Sequence, residues 1–345
     1  MTGPSEKQFT TNHKLVTIRG LNVVYETRQG NVDALSDVDL DIYRGEFLGL
    51  VGESGCGKST LGRAILRIVA PPGRIVSGEL IFDQTNLLEL NEEEMDDIRG
   101  RRISMIFQDP ATSLNPVQRV GDHIIETIQA HEPKVKRRNA RERAAELLDR
   151  LGISRERLDD YPHQMSGGMR QRVMIGIAMA LSADLIIADE PTTSLDVIVE
   201  AQFLDLLREL RSSFDLTIML VTHNIGVVAE LADRVAVMYA GRIIEVAPAQ
   251  ELFDNPKHPY TQGLLRCVPN IKATDDALHK MKGMPPSLMD PPLGCRFHPR
   301  CPEVMPICSR VVPPTFQIAA QHTSDCWLHA SPSEISRAER GEAVK

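Results

Sequence analysis

Apolar and polar positions along the chain change rhythm several times, and each change marks an element. LVTIRGLNVVY, from Leu15 to Tyr25, reads as a β-rich opening. VDLDIYRGEFLGLV first alternates and then becomes an unbroken apolar run ending at Val51, the mark of a strand buried on both faces. A glycine-rich turn and a candidate helix, STLGRAILRIVA, follow, with Pro71 and Pro72 as its stop. From about Asn86 to Gln164 the pattern is charged and helical, as in ELNEEEMDDIRGRR and RERAAELLDRLG, with one short strand, ISMIFQ, before Asp109 and Pro110. Buried strands return at Leu185 to Asp189 and Thr217 to Thr222, with the helix candidate EAQFLDLLRELRSS between them.

Strands alternating with helices predict an α/β core with a mostly parallel sheet covered on both faces. The charged block predicts an inserted helical subdomain over about residues 86–170. After about Pro248 the stretches PKHPY, GMPPSLMDPP and VVPPTF bring proline, weak periodicity and most of the cysteines, which predicts a small separate domain. The expected division is 1–250 and 251–345. A chain of 345 residues exceeds the usual size of one core, in keeping with two.

Composition narrows the classes. Hydrophobic residues at 42% and charged residues at 25% suit a soluble globular chain. A net charge of -8 argues against nucleic-acid binding by overall electrostatics. The basic segment KVKRRNARERAAELLDR has acidic residues among the basic ones and apolar positions at helical spacing, so it reads as a solvated amphipathic helix. The N-terminus lacks a secretion signal, and the most apolar stretch, Val173 to Ala188, is too short and too interrupted to span a membrane. A cytosolic setting follows as an expectation, and structural disulfides are rare there.

GESGCGKS comprises Gly52, Glu53, Ser54, Gly55, Cys56, Gly57, Lys58 and Ser59 and is followed by Thr60. It has the spacing of a phosphate loop: glycines turn backbone N–H groups onto phosphates, Lys58 reaches the terminal phosphates, and the Ser59 hydroxyl ligates Mg²⁺. The helix that begins there adds its positive end. Such a loop alone serves kinases, GTPases and motors equally. In ADLIIADEPTTSLD a buried strand ends in Asp189 and Glu190, placing two acids at the carboxyl edge of the sheet, where nucleotide sites form. Asp189 suits the Mg²⁺ shell and Glu190 suits polarising an attacking water.

With YPHQMSGGMRQRV added, the chain resembles the ATP-binding subunits of ABC transporters over nearly its whole length. The resemblance implies a P-loop ATPase core that uses ATP and Mg²⁺. Ser166, Gly167 and Gly168 match the signature motif, which in a head-to-tail dimer faces the γ-phosphate held by the partner; Met165 and Met169 depart from the commonest flanks. Tyr25 falls where an aromatic ring stacks on adenine. Gln108, in IFQDP, matches the glutamine that senses Mg²⁺ and the attacking water; Asp196 matches the loop that crosses the dimer interface; His223, in LVTHN, matches the switch histidine on the γ-phosphate. QDPATSLNP and NPKHPYTQGLL are similar to the dipeptide and oligopeptide importers, a branch that also includes transporters of nickel and some oligosaccharides. The implied partners are a second ATPase subunit, paralogous or identical, two membrane permease subunits and, indirectly, an extracytoplasmic solute-binding protein, with no nucleic acid. The implied place is the cytoplasmic face of the membrane, and soluble ABC ATPases are the competing class.

Cys295, Cys301, Cys308 and Cys326 are separated by five, six and seventeen residues. This is not the usual zinc-finger or ferredoxin spacing, and by itself it leaves a metal and free thiols both open. The resemblance implies a [4Fe–4S] cluster on these four thiols, with zinc the lesser alternative.

Overall fold

The computed structural model describes residues 13–108, 113–192, 197–214, 216–267 and 281–344. Twelve strands are described: β1 (Lys14–Thr27), β2 (Gly30–Tyr43), β3 (Phe47–Val51), β4 (Gly73–Phe82), β5 (Thr85–Asn86), β6 (Ile103–Ile106), β7 (Leu185–Asp189), β8 (Thr217–Thr222), β9 (Arg234–Tyr239), β10 (Arg242–Pro248), β11 (Phe316–Ala319) and β12 (His322–Ser324). They form an eight-stranded sheet in the order β11-β12-β10-β9-β3-β8-β7-β6 and a four-stranded sheet in the order β2-β1-β4-β5. Strands β9, β3, β8, β7 and β6 run parallel, whereas β10, β12 and β11 add on antiparallel.

The parallel strands are the unbroken apolar runs because both of their faces are covered. Ile186, Ala188, Ile218 and Leu220 join one core cluster with the helices Val120–His131, Arg137–Arg150 and Gly167–Met179. Leu185, Ile187, Met219 and Val221 point the other way, into a cluster with the helix Lys58–Ile65 and the four-stranded sheet. Gly49 of β3 permits close helix packing, since a Cβ there would lie 2.4 Å from Val228 Cγ1.

The second, antiparallel sheet was not foreseen as a separate layer, because its strands alternate less cleanly. Strand β1 pairs with β2 and β4 through several register shifts. The helix after the glycine-rich turn also ends earlier than its proline stop suggests. Arg67 takes φ 52°, its N–H donates to Ala64 O at 3.0 Å, and the Ile68 N–H donates to Arg63 O at 2.9 Å. This left-handed close satisfies the last carbonyls before the prolines are reached. The Arg67 guanidinium is held by Leu87 O and Leu90 O.

The basic helical segment behaves as an amphipathic helix. Ala140, Ala144, Ala145 and Leu148 face the core, and Arg137, Arg141 and Arg143 pair with Asp122, Asp159 and Glu132. Among the described residues, no helix is long and apolar enough to cross a membrane.

Described residues beyond 250 are tied to the sheet through β10 and β12. Glu245 of β10 is fully buried and accepts the Lys257 and His258 N–H groups at 2.6 and 2.9 Å and His322 Nε2 of β12 at 2.8 Å. These bonds hold the Glu245 carboxyl below its ordinary value against the opposing effect of burial. His258 caps the helix Pro259–Arg266 by accepting the Tyr260 N–H at 3.0 Å. Burial lowers its pKa to about 4, so the imidazole serves as a neutral acceptor. Tyr239, Tyr260 and Phe297 form a buried aromatic cluster with ring centroids 4.5 to 5.5 Å apart.

Candidate nucleotide site

The loop after β3 is shaped by its glycines. Gly55 and Gly57 have φ 77° and 112°, and a Cβ on Gly52 would lie 2.2 Å from Met238 O. Lys58, 4% exposed, folds back over the loop and donates from Nζ to Gly52 O at 2.9 Å and Glu53 O at 3.1 Å. Its charge is therefore held over the loop where a phosphate chain would lie. Cys56 is buried against the same strand end, and burial raises its pKa, so it acts as a small space-filling group.

The Ser59 hydroxyl donates to Asp189 Oδ1 at 2.7 Å. Asp189 is 1% exposed, and burial raises its carboxyl above the ordinary value while Ser59, Arg63 and Lys58 pull it down. A hydroxyl and a desolvated carboxylate next to the phosphate loop suit a hard divalent cation with oxygen ligands, so the residues fit Mg²⁺.

Glu190 follows at φ 44°, in the left-handed region where non-glycine residues are uncommon. Its N–H is anchored to Val221 O at 2.8 Å. Gln108 Nε2 donates to Glu190 Oε2 at 3.3 Å, and His223 Nδ1 lies 3.4 Å from the same oxygen. Three residues from the ends of β6, β7 and β8 thus converge: the Glu190 side chain is 14% exposed, and that of His223 is 57% exposed.

The other expected site residues lie apart from this knot. Ser166 is exposed and caps the helix Gly167–Met179 by accepting the Met169 N–H at 3.3 Å. Among the described residues, no hydrogen bond joins Ser166, Gly167 or Gly168 to the phosphate loop of the same chain. Tyr25 is half-buried on β1, its ring over Gly73. Asp196 lies outside the described residues.

Two site features escaped sequence reasoning. Tyr260, inside NPKHPYTQGLL, accepts the Glu53 N–H at its hydroxyl (3.0 Å), and Arg300 grips the Glu53 carboxylate with two nitrogens at 2.7 and 2.9 Å. Neither follows a local pattern, because the partners are more than 200 residues apart. The quoted strings flagged the segments but could not supply the pairing.

Cys56, Cys295, Cys301, Cys308 and Cys326 form no disulfide. Cys308 and Cys326 are buried and Cys295 and Cys301 are partly so. Cys295 donates its N–H to Cys308 O at 2.8 Å. Burial pushes the Cys326 thiol up to about 12, with the other three thiols adding to the shift, and the Cys295 thiol up to about 11. The four thiols therefore share one neighbourhood in which a thiolate needs a compensating cation. Among the described residues, no group of three or more His, Cys, Asp or Glu is arranged to hold a single metal ion. The [4Fe–4S] expectation thus finds chemically suitable donors but, among the described residues, no group arranged to hold a metal ion.

Comparison with known proteins places this geometry. Residues 35–193 match the family described as ABC transporter, and residues 244–308 match the oligopeptide/dipeptide transporter C-terminal region. The chain is 44% identical over 324 residues to the dipeptide transport ATP-binding protein DppD of Bacillus subtilis, covering 93% of this chain and 96% of that one. This chain belongs to the ABC transporter family, in its oligopeptide/dipeptide branch. The oligopeptide transport ATP-binding protein OppD of the same organism is 43% identical, with 96% and 93% covered. Among solved structures, the ATP-binding cassette MJ0796 in a dimeric post-hydrolysis state with ADP and Pi matches with a TM-score of 0.61 and 28% identity, covering 68% of this chain and 98% of that one. The ABC ATPase fold and an ATP-hydrolysing activity are thereby established for the chain, and the mostly parallel core expected from sequence is borne out.

Proposed function

We propose that the chain hydrolyses ATP on the cytoplasmic face of the membrane to power import of peptides through two permease subunits. The observation that carries this reading is near full-length similarity to dipeptide and oligopeptide transport ATP-binding proteins, with both the cassette and the C-terminal region matched. The partner is a second ATPase subunit, paralogous or identical, and an extracytoplasmic solute-binding protein delivers the cargo.

Each ATP sits between the phosphate loop Gly52–Thr60 of one subunit and the signature Ser166, Gly167 and Gly168 of the other, with Tyr25 stacked on adenine and Asp196 at the dimer seam. The exposure of Ser166 and the outward N-terminus of its helix support a ligand arriving from a partner. Lys58 leaves its two carbonyls for the terminal phosphates. Glu190 takes the proton from a water aligned with the γ-phosphate, Gln108 orients that water, and His223 contacts the γ-phosphate. Ser59, Asp189 and Gln108 would hold Mg²⁺, which neutralises phosphate charge when bound. Closure moves the surface near Gln108 against the permeases. We take the cassette as residues 1–250, with its helical insertion at about 86–170, and the extension as 251–345.

Co-purification tests the assignment to a transporter. The chain should be retained by two polytopic membrane subunits in mild detergent; a chain that is never retained by membrane proteins belongs to the soluble class.

For the extension we propose that Cys295, Cys301, Cys308 and Cys326 hold a [4Fe–4S] cluster that staples a segment with little core of its own. Four neighbouring thiols, two buried and two partly buried and none in a disulfide, support it. Protein made without oxygen should be brown and absorb near about 400 nm, as thiolate-bound iron–sulfur clusters do. A colourless, iron-free preparation contradicts the proposal, and stoichiometric zinc in its place selects the alternative.

A further inference from the structure

Glu53 occupies a variable position of the phosphate loop, yet it is held at three points. Its carbonyl accepts Lys58 Nζ at 3.1 Å, its N–H donates to the Tyr260 hydroxyl at 3.0 Å, and its carboxylate takes both terminal nitrogens of Arg300 at 2.7 and 2.9 Å. The Arg300 side chain is 5% exposed and that of Glu53 23%. Arg300 also donates to the Tyr239 hydroxyl at 3.2 Å and to Lys282 O at 3.1 Å. The hydrogen bond to Glu53 is the leading reason its pKa is raised.

A bidentate arginine–carboxylate pair fixes orientation as well as distance. A buried ion pair is weak evidence for stability, and the aromatic cluster of Tyr239, Tyr260 and Phe297 already seals this contact. The pair's distinctive effect is geometric: it pins one of the two loop residues, Gly52 and Glu53, whose carbonyls receive Lys58. Arg300 closes the short helical turn His298–Arg300 and is followed at once by Cys301. The same segment braces the residues that back the loop: Arg296 donates to Ser36 Oγ at 2.8 Å and to Ala240 O, while the Gly241 N–H donates to Cys56 O at 2.8 Å and the Ser36 N–H to Gly241 O at 2.9 Å.

We propose that Arg300 is a positioning residue for ATP binding: through Glu53 it sets the phosphate loop and Lys58, making the cysteine-bearing extension a structural part of the nucleotide site. The proposal rests on Gly52–Ser59 being the phosphate loop. Because that loop holds ATP in the ground and transition states alike, its loosening affects affinity and spares turnover.

The test uses the full chain, a fluorescent ATP analogue with Mg²⁺, ATPase kinetics and thermal melting. Arg300→Met should weaken nucleotide binding and raise KM by about tenfold, with kcat within about twofold. Arg300→Lys, which keeps the charge but not the fork, should recover binding to within about threefold of wild type. Glu53→Gln should behave like Arg300→Met, and the double variant should be no worse than the weaker single, because both remove one interaction. An Arg300→Met protein that melts and binds as wild type overturns the proposal. If Arg300→Met does not fold, Glu53→Gln decides: wild-type affinity there overturns the proposal, and weakened affinity with unchanged melting upholds it. Wild-type protein that binds no ATP analogue refutes the phosphate loop itself, and the proposal with it; intact wild-type binding with indifferent variants refutes the proposal alone.

Discussion

Replacing Glu190 with Gln should lower steady-state ATP hydrolysis by about 10²- to 10⁴-fold while ATP binding stays within about threefold of wild type. On the proposed assignment of Glu190, the exchange removes the base and almost nothing else. Gln108 still finds a side-chain oxygen to donate to, the Glu190 N–H bond to Val221 O belongs to the backbone, and the left-handed φ of 44° is held by the end of β7. Among the described residues, this carboxylate is the one acid on which Gln108 and His223 both converge. Hydrolysis and binding measured side by side on the full chain check this, and undiminished turnover would place the base elsewhere.

The second large effect concerns Lys58. Lys58→Met should weaken ATP binding by about 100-fold or more, since hydrogen bonds from a charged donor contribute about 1.5–3 kcal/mol each and about 1.4 kcal/mol is tenfold. The loop also loses the donor that Gly52 O and Glu53 O share, so its shape softens together with its charge. Titration calorimetry with ATP and Mg²⁺ separates this variant from Glu190→Gln: the first fails to bind, the second binds and fails to turn over. Equal ATP affinity in Lys58→Met and wild type would remove the phosphates from this loop.

What the sequence made legible was whatever is local or has a fixed period. Strands β3, β7 and β8 announce themselves as apolar runs because both faces are buried, and the phosphate loop does so because its glycines sit where φ is positive or a Cβ would collide. The convergence of Gln108, Glu190 and His223 was foreseeable only through a resemblance, since parallel strands bring together residues 82 positions apart with no periodic trace. The contact between Arg300 and Glu53, 247 positions apart, left no sign at all. The C-terminal strands were equally hidden. FQIA and HTS are short and half-polar; HTS pairs with β10, where Glu245 takes His322, and FQIA pairs with HTS.

The thiols show the reverse situation: the sequence suggested a ligand set more strongly than the structure alone supports one. Burial raises Cys295, Cys301 and Cys326 towards the protonated state. A metal centre must therefore supply the charge that makes them thiolates, and the arrangement without one reveals only that they are neighbours and unpaired.

The central claim, that ATP hydrolysis at this site drives peptide import, is tested most directly by uptake of a labelled peptide into proteoliposomes holding the chain, its ATPase partner, both permeases and the solute-binding protein. The account predicts accumulation that requires ATP and Mg²⁺ on the ATPase side and is lost with Glu190→Gln in this chain although ATP still binds. Accumulation that persists with Glu190→Gln, or ATP hydrolysis by the wild-type assembly that never moves peptide, would contradict it.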